Sequence, residues 1–198
     1  MIRKPQNWEN VQVMADRAKL PVGAYVCKVK QVAQQQNAYG DQIVLLYDIA
    51  EGEYKDFYAR DFQQNQNPDK KWKGVIRIWI PKDDNSERDE TTKRILKGMV
   101  TSFEESNPGY KWDWDETKLT QKMIGILYRN EEWEYDGKTG WNAKPLRCMS
   151  VGKVRSGDFT IPKDKPLKGD AYDTGYVAPA TPSAPVSMMA VDDSDLPF

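Results

Sequence analysis

Alternation of apolar and polar residues dominates the first two thirds of this chain, and one long segment breaks it with a helical period. From Val22 to Val32, Tyr25, Cys27 and Val29 fall on one side and Lys28 and Lys30 on the other, which predicts a strand. A turn at Ala38-Tyr39-Gly40-Asp41 leads into Gln42 to Ile49, whose near-continuous apolar character fits a strand with neighbours on both sides. Glu51-Gly52-Glu53 reads as a second turn and Tyr54 to Phe62 as a third, aromatic-rich strand, the three forming an antiparallel meander. Asn65 to Lys73 is polar, contains Pro68 and is expected to be a loop. Gly74 to Ile80 follows, with Ile76, Ile78 and Ile80 facing one way and Val75, Arg77 and Trp79 the other. Ile95, Leu96, Met99 and Phe103 then recur at helical spacing and predict a helix over Asp89 to Glu105, stopped by Asn107-Pro108-Gly109. Lys122 to Asn130 is a further strand. Trp133 to Tyr135 and Trp141 to Met149 are the arms of a hairpin turning at Asp136-Gly137.

Strands cut by one helix, in a body of this size, predict a mostly β fold. The expectation is a five-stranded barrel of the oligonucleotide-binding type, closed or partly open, with an inserted helix, an added hairpin and a disordered tail. The body is assigned to residues 1–161. Residues 162–191, with prolines at 162, 166, 179, 182 and 185, are too poor in apolar area to offset the entropy of ordering them and read as a flexible linker. Residues 192–198 form a separate acidic tip.

Composition narrows the chemistry. No 18-residue apolar run and no apolar leader are present, so a soluble, cytoplasmic protein is expected. Histidine is absent, which excludes His-containing zinc sites, the Ser-His-Asp triad and the Cys-His pair. Cys27 and Cys148 stand apart and read as two reduced thiols. No phosphate-binding Gly-Xaa-Xaa-Xaa-Xaa-Gly-Lys loop occurs. The carboxylates of Asp113-Trp114-Asp115-Glu116 are adjacent on a loop and do not converge on a metal without distant partners. No enzymatic activity and no cofactor are expected. The formal charge of −1 divides unevenly: residues 1–165 carry 28 Lys and Arg against 25 Asp and Glu, and residues 166–198 carry one Lys against five Asp. A body at +3 can neutralise phosphates; a tail at −4 cannot.

The tail carries the most specific signal. Asp192-Asp193-Ser194-Asp195-Leu196-Pro197-Phe198 sets three carboxylates before an apolar tip that ends in a free α-carboxylate. Such a peptide docks in an apolar pocket ringed by Lys or Arg, Phe198 supplying burial and the acids orientation. It resembles the acidic tip of bacterial and phage single-stranded-DNA-binding proteins, which reads Asp-Asp-Asp-Ile-Pro-Phe, with Leu196 in place of the isoleucine and Ser194 interrupting the acidic run. The resemblance implies an oligonucleotide-binding barrel and a tip, Asp192, Asp193, Asp195, Leu196, Pro197 and Phe198, that recruits replication, recombination and repair enzymes. The body lacks the bacterial family's usual N-terminal pattern. Its long segment from Asp89 to Gly109 is more similar to divergent phage-encoded forms, which favours a monomer or dimer over a tetramer.

Binding of single strands without sequence preference needs aromatic rings for stacking and cations for phosphates on one face, and 7 Trp, 10 Tyr and 5 Phe supply the rings. Three sets are candidates. The first is Lys70, Lys71, Trp72 and Lys73 with Arg77 and Trp79; the alternative packs Trp79 under the helix. The second is Tyr128, Arg129, Trp133, Tyr135, Lys138, Trp141, Lys144 and Arg147 on the hairpin, where cross-strand aromatic pairing explains the rings nearly as well. The third is Lys28, Lys30 and Arg60 with Tyr58, for which solvated sheet surface is the default. The competing function is a noncatalytic recombination mediator or replisome adaptor whose barrel binds protein rather than DNA.

Overall fold

The computed structural model describes residues 2–11 and 18–167. Five strands, β1 (Ala24–Asn37), β2 (Gly40–Ile49), β3 (Val75–Trp79), β4 (Met123–Tyr135) and β5 (Lys138–Met149), alternate with helices α1 (Phe57–Gln64), α2 (Glu87–Ser106) and α3 (Val151–Ser156). The strands form one antiparallel sheet in the order β3-β2-β1-β4-β5.

This overturns the expected closed or partly open barrel. The fold is mixed α/β, an open antiparallel sheet whose edges, β3 and β5, share no ladder. β3 is only five residues long and runs into Pro81, which has no N–H to give a ladder. α2 packs against β3, β4 and β5, and its Leu96, Met99 and Phe103 complete the core between the two edges with side chains in place of a ladder. The core face of the sheet carries Cys27 and Val29, then Ile43, Leu45, Tyr47 and Ile49, then Ile76 and Ile78, then Ile124, Ile126 and Tyr128. The alternation expected in β3 is present: Ile76 and Ile78 are buried, while Val75, Arg77 and Trp79 are half-buried on the other face. In β1 a register shift between Val29 and Gln31 leaves Lys30 exposed in the irregular step.

Residues Tyr54 to Phe62 are not a strand. Turns carry the chain to Asp56, and α1 begins at Phe57, so the third strand of the meander is β3. A spacing of four, as in Tyr54, Tyr58 and Phe62, returns to the same face of a strand and of a helix alike, so the pattern alone does not separate the two. The local cap is missing: Asp56 has a left-handed backbone (φ 56°) and its side chain makes no capping bond. The cap comes instead from β2, where the buried Asp48 carboxylate accepts hydrogen bonds from the Tyr58 and Ala59 N–H groups at 3.0 Å each. α2 lies where its period predicts, and Ser86 caps it by accepting from the Asp89 N–H. Lys122 to Asn130 and the first hairpin arm are one continuous strand, β4, so the hairpin belongs to the sheet and is not an addition to it. α3, which the sequence analysis does not predict, lies over β4: a Cβ at Gly125 would fall 2.5 Å from a Val154 methyl.

Beyond Leu127, β4 outruns β1 and its β1-side edge is open to another partner. Residues 164–167 take that edge. Lys165 N–H donates to the Asn130 carbonyl and Glu132 N–H to the Lys165 carbonyl, both at 2.9 Å, in a parallel bridge. Asn130 Nδ2 reaches Asp164 at 3.0 Å, and the Leu167 N–H donates to Glu132 at 3.1 Å. Residues 162–167 are thus the placed beginning of the expected linker. The rest of the linker and the acidic tip lie outside the described residues. Truncation after Ile161 uncovers the β4 edge, whereas truncation after Leu167 keeps it paired, so only the shorter chain is expected to self-associate in size-exclusion chromatography.

Candidate nucleic-acid interface

The β4–β5 ribbon sorts its side chains by face. The Asp136-Gly137 turn has positive φ at both positions (50° and 70°), the type I′ geometry that fixes a two-residue hairpin. The register from Arg129 opposite Lys144 to Tyr135 opposite Lys138 is unbroken. With a period of two, Arg129, Glu131, Trp133 and Tyr135 of β4 share one face with Lys138, Gly140, Asn142 and Lys144 of β5. Glu132, Glu134 and Trp141 lie on the opposite face. Arg147 stands opposite Leu127, beyond a bulge. Five of the eight residues expected on this hairpin therefore share one face of a regular ladder.

Two do not. Trp141 is exposed on the reverse side, opposite Glu132. Tyr128 is a correction: it faces the core with no exposed surface, and its hydroxyl bridges the Tyr47 hydroxyl at 2.6 Å and the Tyr58 hydroxyl at 2.8 Å. Neither Tyr128 nor Tyr58 offers a ring to a base.

Charge on the ribbon face centres on Glu131. Arg129 approaches its carboxylate at 2.8 Å, Lys165 at 3.8 Å and Lys144 at 4.0 Å. One carboxylate faces three cations, leaving a local excess of two positive charges. The Lys144 and Lys165 side chains are about half exposed, so both ammonium groups are available to phosphate. The aromatic side is equally plain. Tyr135, near the turn, is 78% exposed, and Trp133 is half-buried against Gly140, its partner across the ladder.

The other two sets are dispersed. Lys73 is salt-bridged to Asp61 at 2.9 Å, the Lys70 ammonium sits 4.6 Å from the Phe62 ring, and Trp72 stacks at an angle on Phe62 while its Nε1 donates to the Tyr47 carbonyl. The Lys70–Lys73 loop, in which Lys71 is exposed, is thereby fastened to α1 and β2. Arg77 and Trp79 remain on the outer face of β3, opposite Val44 and Gln42, with the β1–β2 turn close by: Gly40, at φ 138°, leaves room for Lys82 and for the edge of Trp79. In the third set Lys28 is half-buried opposite Asp48, Lys30 is exposed, and Arg60 lies on α1, where its guanidinium donates to the Lys55 carbonyl. The strand expected to align Tyr58 and Arg60 with the two lysines does not exist.

Sequence reasoning missed Glu131, Gly140 and Lys165. Lys165 joins the cluster only through the strap beside β4, for which no local pattern exists. Gly140 had a signal, a glycine within a strand pattern, which marks close approach of another group.

Asp113 and Asp115 are both bridged by Lys118, and among the described residues no group of acids and cysteines is arranged to hold a metal ion. No helix among them is long and apolar enough to cross a membrane. No protein-family model matches the chain, and no curated protein matches it significantly.

Proposed function

We propose that the protein binds single-stranded DNA without sequence preference and protects it during replication, recombination or repair, with the β4–β5 ribbon as the main contact. The observation that carries this reading is the ribbon face on which Trp133 and Tyr135 occupy adjacent rungs, with Lys138 across from Tyr135 and with Lys144, Lys165 and the largely buried Arg129 grouped around Glu131 on the far side of Trp133. Rings spaced two residues apart suit successive bases, and the cations on either side of the pair suit the backbone. The reading does not rest on a barrel. Its second support is the C-terminal Asp192–Phe198 peptide, read as a docking site for replication, recombination or repair enzymes. The chain acts without catalysis or cofactor, as a monomer or dimer, in the cytoplasm of a bacterial cell and encoded by a phage.

Fluorescence anisotropy with labelled oligonucleotides tests the reading. Single strands are expected to bind well above duplex, because stacking needs unpaired bases. If the ribbon neutralises about three phosphates, the log–log salt slope is about −2, a loss of roughly 20-fold between 50 and 200 mM salt. Equal affinity for duplex and single strand rules out stacking as the main mode, and absence of binding at low salt favours the adaptor function. Deleting Asp192 to Phe198, or replacing Phe198 with Ala, abolishes capture of the host's replication proteins. The deletion leaves DNA binding unchanged or slightly tighter, since the acids no longer visit the basic surface. Partner capture that survives the deletion reduces the tip to a solubility tail.

A further inference from the structure

A glycine inside a strand weakens it, because a freely rotating backbone is ordered and no side chain packs. Gly140 lies within β5, and its φ is not in the left-handed region where a glycine is needed. Its value to the ribbon is therefore space. A Cβ at Gly140 would fall 2.8 Å from Cζ2 and 2.9 Å from both Cε2 and Nε1 of Trp133. These three atoms form the Nε1–Cε2–Cζ2 edge of the indole, so this edge of the ring packs directly against the Gly140 backbone.

We infer that Gly140 is a positioning residue for nucleic acid: its missing side chain lets the Trp133 indole lie across the ribbon as a platform between the Arg129–Lys144 and Tyr135–Lys138 rungs. The inference rests on the proposed binding of single-stranded DNA and names the residue that shapes its platform. With this edge of the ring seated on the backbone and its Nε1 buried, the ring is held before a base arrives. A methyl group at position 140 cannot coexist with this seating. The Cβ would sit well inside van der Waals contact with the edge of a rigid ring, so the indole must move from this position. The substitution removes neither an aromatic ring nor a charge, and its backbone conformation is open to alanine. An effect on binding therefore reports ring placement.

The test is a double-mutant cycle in the full-length chain: Trp133→Ala, Gly140→Ala and both together, titrated against a labelled oligothymidine and its duplex counterpart, with circular-dichroism melts alongside. Thr139→Ala, whose side chain lies on the reverse face, is the control. Trp133→Ala and Gly140→Ala are each expected to weaken single-strand binding by about tenfold. The double variant is expected to be no weaker than either single one, because a displaced platform and an absent one are equivalent. Duplex affinity and the control stay unchanged. Should Gly140→Ala alter the melt, photo-crosslinking of an iodouracil oligonucleotide gives a second readout: the adduct maps to Trp133 in the wild-type chain and is lost in Gly140→Ala. Weakening by Trp133→Ala but not by Gly140→Ala, strict additivity of the two, or no adduct at Trp133 overturns the inference and leaves the proposed function standing. Failure of the wild-type chain to bind single strands overturns both.

Discussion

Between about pH 10 and pH 12 the protein is expected to unfold steeply, driven by the tyrosines in its core. Tyr47, Tyr58 and Tyr128 are buried and joined through the Tyr128 hydroxyl. Burial is the largest cause of the shift in each. It raises Tyr47 and Tyr128 well above the ordinary range and Tyr58 to about 12, the last despite hydrogen bonds from its two partners that act in the opposite direction. Burial also raises the Cys27 thiol beside them. In the unfolded chain a tyrosine loses its proton near pH 10. Above that pH the unfolded state binds fewer protons than the native state, so stability falls as pH rises. The contribution is fully present below about pH 10 and is lost as pH climbs towards the folded values. Each group contributes about 1.4 kcal/mol per pH unit, so three together give a slope of about 4 kcal/mol per pH unit, enough to exhaust the stability of an ordinary domain within two or three units. Tyrosinate absorbance at 295 nm, followed with far-ultraviolet circular dichroism, is expected to show one cooperative step in which these protons leave as the fold is lost. Tyr128→Phe should lower the slope by about a third. Smooth titration of every tyrosine near pH 10 with the circular dichroism intact would refute the buried cluster.

Asp48→Ala is expected to be the most damaging substitution in the sheet. The Asp48 side chain is 1% exposed, and its two oxygens accept from the Ile49, Tyr58 and Ala59 N–H groups at 2.9, 3.0 and 3.0 Å. Alanine leaves these donors without their acceptor at the point where α1 meets β2, a cost of about 3 kcal/mol or more. The loss is not confined to the cap, because the same bonds hold Tyr58 where its hydroxyl meets Tyr128. Asp48→Ala and Tyr58→Phe should therefore destabilise by less together than the sum of the two. Asp48→Asn keeps an acceptor oxygen and should cost about half as much. Urea unfolding gives all four values, and a loss below about 0.5 kcal/mol for Asp48→Ala would show that water replaces the carboxylate.

Local pattern alone determined β1, β2, β3, α2, the Asp136-Gly137 turn and the two arms it joins. In each, the period of apolar residues and the turn chemistry agree with the burial that the structure shows. The composition of the ribbon was equally legible, since Arg129, Trp133, Tyr135, Lys138 and Lys144 are near neighbours in the chain. What pattern could not supply was anything held from a distance. α1 is capped by a carboxylate ten and eleven residues upstream of the N–H groups it accepts from, so its start carries no local mark. Tyr58 and Tyr128, 70 residues apart, resemble surface aromatics until the sheet brings their hydroxyls together. Lys165 joins Arg129 and Lys144 only because the β4 edge is left open where β1 begins. Whether the strands close was likewise a tertiary matter: the period of a strand fixes which face is buried, but the partner of an edge depends on strand length and on what packs between the edges. Here a five-residue β3, a proline after it and the apolar face of α2 leave the sheet open.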